Sequence, residues 1–248
     1  MFLQNFAVAA GHFLFRWRGY TPVVVFPLYY FLYGRSVLIP LLPAVETVFY
    51  ALSGLMVVAG QLGRILTVGF VPPGTSGRNT RGQVANDLNT TGAYSISRNP
   101  LYVSNFLMFI GLIMTGLSEG LVVLNALIFL ATYRAIVAAE EGFLAEKFGA
   151  AYADFMARVP RFWPRPSLWQ PPRHRFELLL VIRREHDTIM AALLFYTLCI
   201  HVGWFIANGQ WEAFPAWLTA CAVAAVPYSA AKFLSLFTNV LARRGERG

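Results

Sequence analysis

The stretch GAYSISRNPLY, Gly92 to Tyr102, follows two long apolar runs and opens directly onto two more. Its second half decides where a helix begins. Proline is favoured at the first position of a helix, and asparagine just before it as a cap. Asn99 and Pro100 are therefore read as the start of an apolar helix that runs to about Leu117. A helix start presents free backbone N–H groups and the positive end of the helix dipole. Arg98 adds a full charge there. Together they make a place suited to a carboxylate or a phosphate, and Tyr94 and Tyr102 add ring surfaces and hydroxyls. The plain alternative is topological: arginine before a span and tyrosine at an interface are ordinary membrane features.

The composition supports the membrane reading. Only 13% of the 248 residues are charged, while there are 21 Phe and 6 Trp. A soluble domain carries about 25% charged residues. A span needs roughly 20 apolar residues, and six runs qualify. They lie at about 22–42, 44–70, 100–117, 120–139, 188–207 and 214–236. The expected fold is an all-α integral membrane protein of about six transmembrane helices, with cytoplasmic cofactor-binding segments between them.

The net charge is +8, and its placement is one-sided. The short links LIPLLPAVE, GLSEG and NGQWEAFP contain Glu46, Glu119 and Glu212 but no Lys or Arg. The opposite links hold most of the arginines. The positive-inside rule then predicts both termini in the cytoplasm, which accounts for the basic excess without a nucleic-acid partner. A bacterial inner membrane is the expected location. Cys199 and Cys221 lie in apolar runs, and no Cys/His pattern has metal-ligand spacing, so no metal site is indicated.

Three parts are expected. Residues 1–21 lack the basic start of a signal peptide and are read as an interfacial segment. Residues 22–165 form a membrane core with the polar chemistry at its cytoplasmic face. Residues 166–248 are a Pro-rich linker and a C-terminal transmembrane hairpin. The sequence REHD, Arg184 to Asp187, could suggest a metal, but it is read as a helix start beside Thr188.

A second polar constellation follows the fourth run, in ATYRAIVAAEEGFLAEKFGAAYADFMARVPRFWP, Ala131 to Pro164. Here the helix is expected to continue out of the membrane. Arg134 and Glu141 are two turns apart and share a face. Glu140 and Glu141 point about 100° apart, so each serves a different neighbour. One would meet a bound cation or hydroxyl and the other a loop arginine. An exposed helix end below the membrane is the plain alternative.

In order, the chain shows Gly-x-Tyr at Gly92 and Tyr94, then Arg98, Pro100 and Tyr102 opening a helical hairpin. Further on come Glu140, Glu141 and Leu144, then Phe148, Gly149 and Tyr152, then Val159, Pro160 and Arg161. This arrangement resembles the isoprenylcysteine carboxyl methyltransferase and phospholipid methyltransferase superfamily of membrane enzymes, over roughly 44–164. The resemblance implies S-adenosylmethionine as cofactor, bound at the cytoplasmic side, and a lipid or lipid-linked substrate. It implies cofactor-binding roles for Tyr94, Arg98, Asn99, Pro100, Tyr102, Glu140, Glu141 and Arg161. Arg98, Glu141 and Arg134 are the expected catalytic residues. The family often has His where this chain has Asn99, and Asn cannot take a proton near neutral pH. A carboxylate or phosphate acceptor needs no base, whereas an amine must first be neutral. The expectation is therefore O-methylation of an anionic lipid group, with Arg78 and Arg81 of the basic loop GTSGRNTRG holding substrate. Alternatives are a phospholipid N-methyltransferase, a sterol-reductase-like NADPH enzyme, and a small non-enzymatic transporter or scaffold.

Overall fold

In the computed structural model, the structure describes residues 29, 31–36, 38, 44–71, 85–211 and 215–238. The expected interfacial segment, most of the first apolar run, and Arg78 and Arg81 lie outside the described residues. Among the described residues the regular elements are all helical: α1 (Ala44–Gly69), α2 (Ala93–Ile96), α3 (Pro100–Met114), α4 (Glu119–Phe148), α5 (Ala150–Arg158), α6 (Leu178–Asn208) and α7 (Pro215–Phe237). A 3-10 turn at Pro166–Leu168 interrupts the link between α5 and α6. Four of these helices, α1, α4, α6 and α7, are long and apolar enough to cross a membrane, by length and composition.

The third apolar run is a helix of only 15 residues. It stops at Met114 because Thr115, Gly116 and Leu117 turn the chain, Leu117 at a positive φ of 49°. Ser118 then caps α4 by accepting a hydrogen bond from the Leu121 N–H at 3.2 Å. Helix α4 has 30 residues, or about 45 Å at the helical rise, against roughly 30 Å of bilayer hydrocarbon. Its surplus carries Glu140 to Phe148 beyond the apolar part. Gly149, at φ 52°, ends α4 and starts α5 in a new direction.

Helices α1 and α3 make the most extensive interface. Ser53, Gly60 and Thr67 recur every seven residues on α1 and are all buried. Small residues let membrane helices approach closely, since lipid supplies no hydrophobic drive between them. A methyl added at Gly60 would sit 2.5 Å from Met108 Cγ and 2.6 Å from the Ser104 carbonyl oxygen. Ser53 Oγ donates to the Gly111 carbonyl at 2.7 Å. Substituting Gly60→Leu is expected to force α1 off α3 and to destabilise the protein by about 1–3 kcal/mol or more. A fall in the detergent melting temperature, without loss of membrane insertion, is the measurement.

Helix α6 begins ten residues earlier than the expected span at Thr188, so RREHD lies inside it. The charges are tolerated because they are partnered. Arg64 of α1 grips Glu185 with two contacts of 2.8 Å, from Nε to Oε2 and from Nη2 to Oε1. Its Nη1 donates to Asn105 Oδ1 of α3 at 2.5 Å, and Gln61 Nε2 donates to Glu185 Oε2 at 3.2 Å. Asp187 accepts from Lys232 Nζ of α7 at 2.9 Å and from the Tyr228 hydroxyl at 3.2 Å. One arginine thus ties α1, α3 and α6, and one aspartate ties α6 to α7.

At the other end, Gly34 N–H donates to the Gly116 carbonyl at 2.8 Å, and Ser36 Oγ donates to Glu119 Oε1. Gly34 and Ser36 fall inside the expected first span of 22–42 but are not helical, so that span ends earlier than expected and its last part meets the α3–α4 turn. Tyr29 is buried against Leu121, Cys199 and Val202, with its hydroxyl 2.9 Å from Thr115 Oγ1 and 3.1 Å from the Cys199 carbonyl oxygen.

Candidate functional site

The polar end of the bundle is built where the start of α3 meets the end of α4. Arg98 precedes α3, and its Nη2 lies 2.9 Å from Glu141 Oε1. Its Nη1 donates to the carbonyls of Met156 and Val159 at 2.8 and 3.1 Å. These carbonyls close α5, so the guanidinium sits at the negative end of that short helix. Arg161 reaches the same carboxylate: its Nε donates to Glu141 Oε1 at 3.2 Å, and its Nη2 pairs with Oε2. Glu141 is thus shared by two arginines and is 7% exposed. The cluster of two arginines and one glutamate keeps a formal charge of +1.

The chain after α5 folds back over this cluster as a strap. The Arg98 N–H donates to the Pro160 carbonyl at 2.9 Å. Ser97 Oγ donates to the Phe162 carbonyl at 3.0 Å, and Asn99 Nδ2 donates to the Arg161 carbonyl at 3.0 Å. Asn99 occupies the cap position of α3, but its side chain makes no capping bond. Its amide is committed to the strap instead. The Asn99 carbonyl receives the Tyr102 and Val103 N–H groups at 3.0 and 3.1 Å. The α3 start is therefore less open to an anion than its sequence implies, and the positive charge comes from the arginines.

Beside this cluster, the Tyr102 hydroxyl donates to Glu140 Oε1 at 2.7 Å. The Tyr102 ring meets Tyr133 edge-on at 4.9 Å, and Tyr133 stacks on Phe129 at 4.0 Å. An aromatic wall thus runs from the polar cluster down the α3–α4 seam. Tyr152 is buried on α5 with Phe155 and Val159. Burial, and after it the Glu141 carboxylate, hold its phenol above the ordinary value, so it remains a neutral hydroxyl near neutral pH.

Of the residues singled out in the sequence, Arg98, Asn99, Glu141 and Arg161 come together, with Tyr102 and Glu140 next to them. Pro100 is buried at the first position of α3. Tyr94 packs apart from the cluster, against the group formed by Val68, Val71, Leu180 and Val181. Arg134 is exposed and has no ion pair with Glu141. The shared face predicted for the two is real along the helix. Only the Glu141 end, however, is covered by α5 and the strap. Sequence reasoning missed Ser97, which anchors the strap, and the Arg64–Glu185 pair. The signal for the pair was a lone arginine inside an apolar run, since ionisable groups at that depth find partners.

This geometry is a polar cluster at the end of a helical hairpin, under a folded-back strap, and the family comparison falls on it. Residues 50–151 match the model of the phospholipid methyltransferase family. The matched segment contains Arg98, Tyr102, Glu140 and Glu141. The strap after α5 and the α6–α7 hairpin lie outside it. The match, with the long apolar helices, supports an integral membrane methyltransferase.

Two curated relatives are similar to part of the chain. The nickel-cobalt-cadmium resistance protein NccN of Alcaligenes xylosoxydans xylosoxydans is 37% identical over 113 residues, covering 43% of this chain and 53% of that protein. The cobalt-zinc-cadmium resistance protein CzcN of Cupriavidus metallidurans is 39% identical over 89 residues, covering 36% of this chain and 41% of that protein. The chain spans about half the length of the curated relatives it matches. No solved structure matches it.

Proposed function

We propose that this protein is an S-adenosylmethionine-dependent membrane methyltransferase that O-methylates an anionic group, carboxylate or phosphate, on a lipid or lipid-linked substrate. The observation that carries the reading is the Arg98–Glu141 pair, shared with Arg161 of the strap, beside the Glu140–Tyr102 pair; all of these but Arg161 lie inside the segment that matches the methyltransferase family.

The residues fit a zwitterionic methyl donor. The two arginines, left with a formal +1 after Glu141, would hold its carboxylate. Glu140 and the faces of Tyr102 and Tyr133 would meet its cationic sulfonium, as carboxylates and aromatic rings suit a cation. When bound, the donor supplies an already activated methyl group. Arg98 fixes the start of α3 relative to α4 and α5, and the strap covers the Arg98–Glu141 pair. Alignment and exclusion of water are the main demands of such a transfer. Asn99 orients the strap and moves no proton. An anionic acceptor needs no base, which is why O-methylation is preferred to N-methylation.

In this reading the chain has six spans, both termini face the cytoplasm, and the polar cluster lies at the cytoplasmic face of a bacterial inner membrane. Arg78 and Arg81 would bind a substrate phosphate. The relatives are named for resistance to metal cations. Methylating a surface carboxylate or phosphate removes a negative charge that would otherwise attract such cations, which links the proposed chemistry to that phenotype.

The test is transfer of labelled methyl from S-adenosylmethionine to total membrane lipid by the purified protein. Label is expected in a methyl ester, released as methanol by base from a carboxylate acceptor and retained on phosphorus by a phosphate acceptor. Label stable to base and recovered in an amine head group would reassign the chain to N-methylation. No label in any lipid would remove the lipid substrate from the account.

A further inference from the structure

The strap between α5 and α6 has a surface that its role over the arginine cluster does not explain. From Arg158 to Phe176 the sequence contains arginines but no acidic residue. Arg161 is committed to Glu141, whereas Arg158, Arg165, Arg173 and Arg175 are exposed. Between them Trp163 is 83% exposed and Trp169 is 54% exposed. Leu178 and Leu179, which open α6, are also exposed.

These side chains project from a fixed backbone. Arg165 N–H donates to the Ile96 carbonyl at 2.9 Å, Gly92 N–H to the Gln170 carbonyl at 3.0 Å, and Glu177 N–H to the Gly69 carbonyl at 2.9 Å. Gln170 N–H donates to Ser95 Oγ at 2.9 Å. Gly92 turns at φ 60°, with Pro172 against the place where a side chain would be. The strap is therefore laced to the end of α1 and to the segment before α3, and Pro160, Pro164, Pro166, Pro171 and Pro172 restrict it further.

The helices set its depth. Arg64 meets Asn105, five residues into α3, and also Glu185. That pair thus lies about 8 Å inside the level of Pro100. Leu178 is seven residues before Glu185, about 10 Å further out along α6. The end of the strap therefore lies within a few ångströms of the level of Arg98, at the polar end of the apolar helices, where a bilayer crossed by them would place its head groups. Tryptophan prefers that layer, and clustered arginine there attracts anionic lipid.

We propose that the strap docks on the anionic lipid surface, with the Trp163 ring in the head-group layer and Arg158, Arg165, Arg173 and Arg175 against lipid phosphates. The assignment rests on the exposed strap alone and stands whether or not the chain transfers methyl groups. The occupant is the bilayer in which the protein resides.

The experiment places the full chain in nanodiscs of phosphatidylcholine, with or without phosphatidylglycerol, carrying brominated acyl chains. Fluorescence quenching is compared between the wild type and Trp163→Phe, so that the difference reports Trp163. Trp163 is expected to be quenched by the brominated lipid and shielded from aqueous acrylamide. The effect should be roughly twofold larger with the anionic lipid. The combined variant Arg165→Gln, Arg173→Gln, Arg175→Gln should lose that increment while keeping its melting temperature. Equal quenching in neutral and anionic discs would overturn the anionic assignment. A Trp163 open to acrylamide and silent to brominated lipid in both discs would overturn docking altogether and leave the surface to solvent or a soluble protein.

Discussion

Replacing Glu141 by Ala is expected to abolish methyl-donor binding and to destabilise the polar end of the protein by about 3–5 kcal/mol, because it leaves buried positive charge without its partner. The Arg98 side chain is only 11% exposed and cannot recover its solvation in water. Arg161 is 37% exposed, so it would turn outward and contribute little to the loss. Its departure would loosen the strap, whose backbone carbonyls hold Ser97 and Asn99. Glu141→Gln keeps the shape and one acceptor but not the charge, and should fall between the wild type and Ala. The checks are the detergent melting temperature and donor binding by calorimetry. A Glu141→Ala protein with unchanged stability would mean that the two arginines do not depend on this carboxylate. By contrast, Glu140→Gln weakens the charge-assisted bond to Tyr102 and leaves the Arg98–Glu141–Arg161 cluster in place. It should keep the fold and weaken donor binding.

The second large effect belongs to Glu185. Its side chain is 1% exposed, and that of its partner Arg64 is 14% exposed. Glu185→Ala strands Arg64 between α1, α3 and α6, at an expected cost of about 3–5 kcal/mol. Replacing both residues at once, Arg64→Leu with Glu185→Leu, should recover most of the stability, since well-packed apolar residues often match or exceed a buried ion pair. Thermal unfolding of the two single variants and the double variant measures this. A double variant as unstable as Glu185→Ala would show that Asn105 and Gln61, rather than the ion pair, hold the interface. Because Arg64 also grips α3, the single variants are expected to disturb the helix that carries Tyr102, although the pair lies away from the arginine cluster.

The sequence was a good guide wherever structure depends on nearest neighbours. Asn99-Pro100 starts a helix, GLSEG turns it, and the 44–70 and 214–236 runs are helices within a residue of where their composition places them. It was a poorer guide wherever a side chain chooses between local and distant partners. Asn99 has the identity of a cap, but its amide goes to the Arg161 carbonyl, 62 residues away. RREHD reads as a helix boundary because charge is unfavourable in lipid, yet Glu185 is satisfied by Arg64, 121 residues away. Periodicity placed Arg134 and Glu141 on one face, but it carries no information on how far along that face α5 extends. The sharing of Glu141 by Arg98 and Arg161 was not foreseen, since the family pattern names the three residues but pairs none of them. No local rule links residues on three separate elements.

The most direct measurement is binding of S-adenosylmethionine to the detergent-purified wild-type protein by isothermal calorimetry, with native lipid present. The account predicts saturable binding with a micromolar Kd. It also predicts that binding is lost in Glu141→Ala and weakened in Glu140→Gln. Absence of any binding at millimolar donor, in protein shown to be folded by its melting transition, would contradict the methyltransferase assignment.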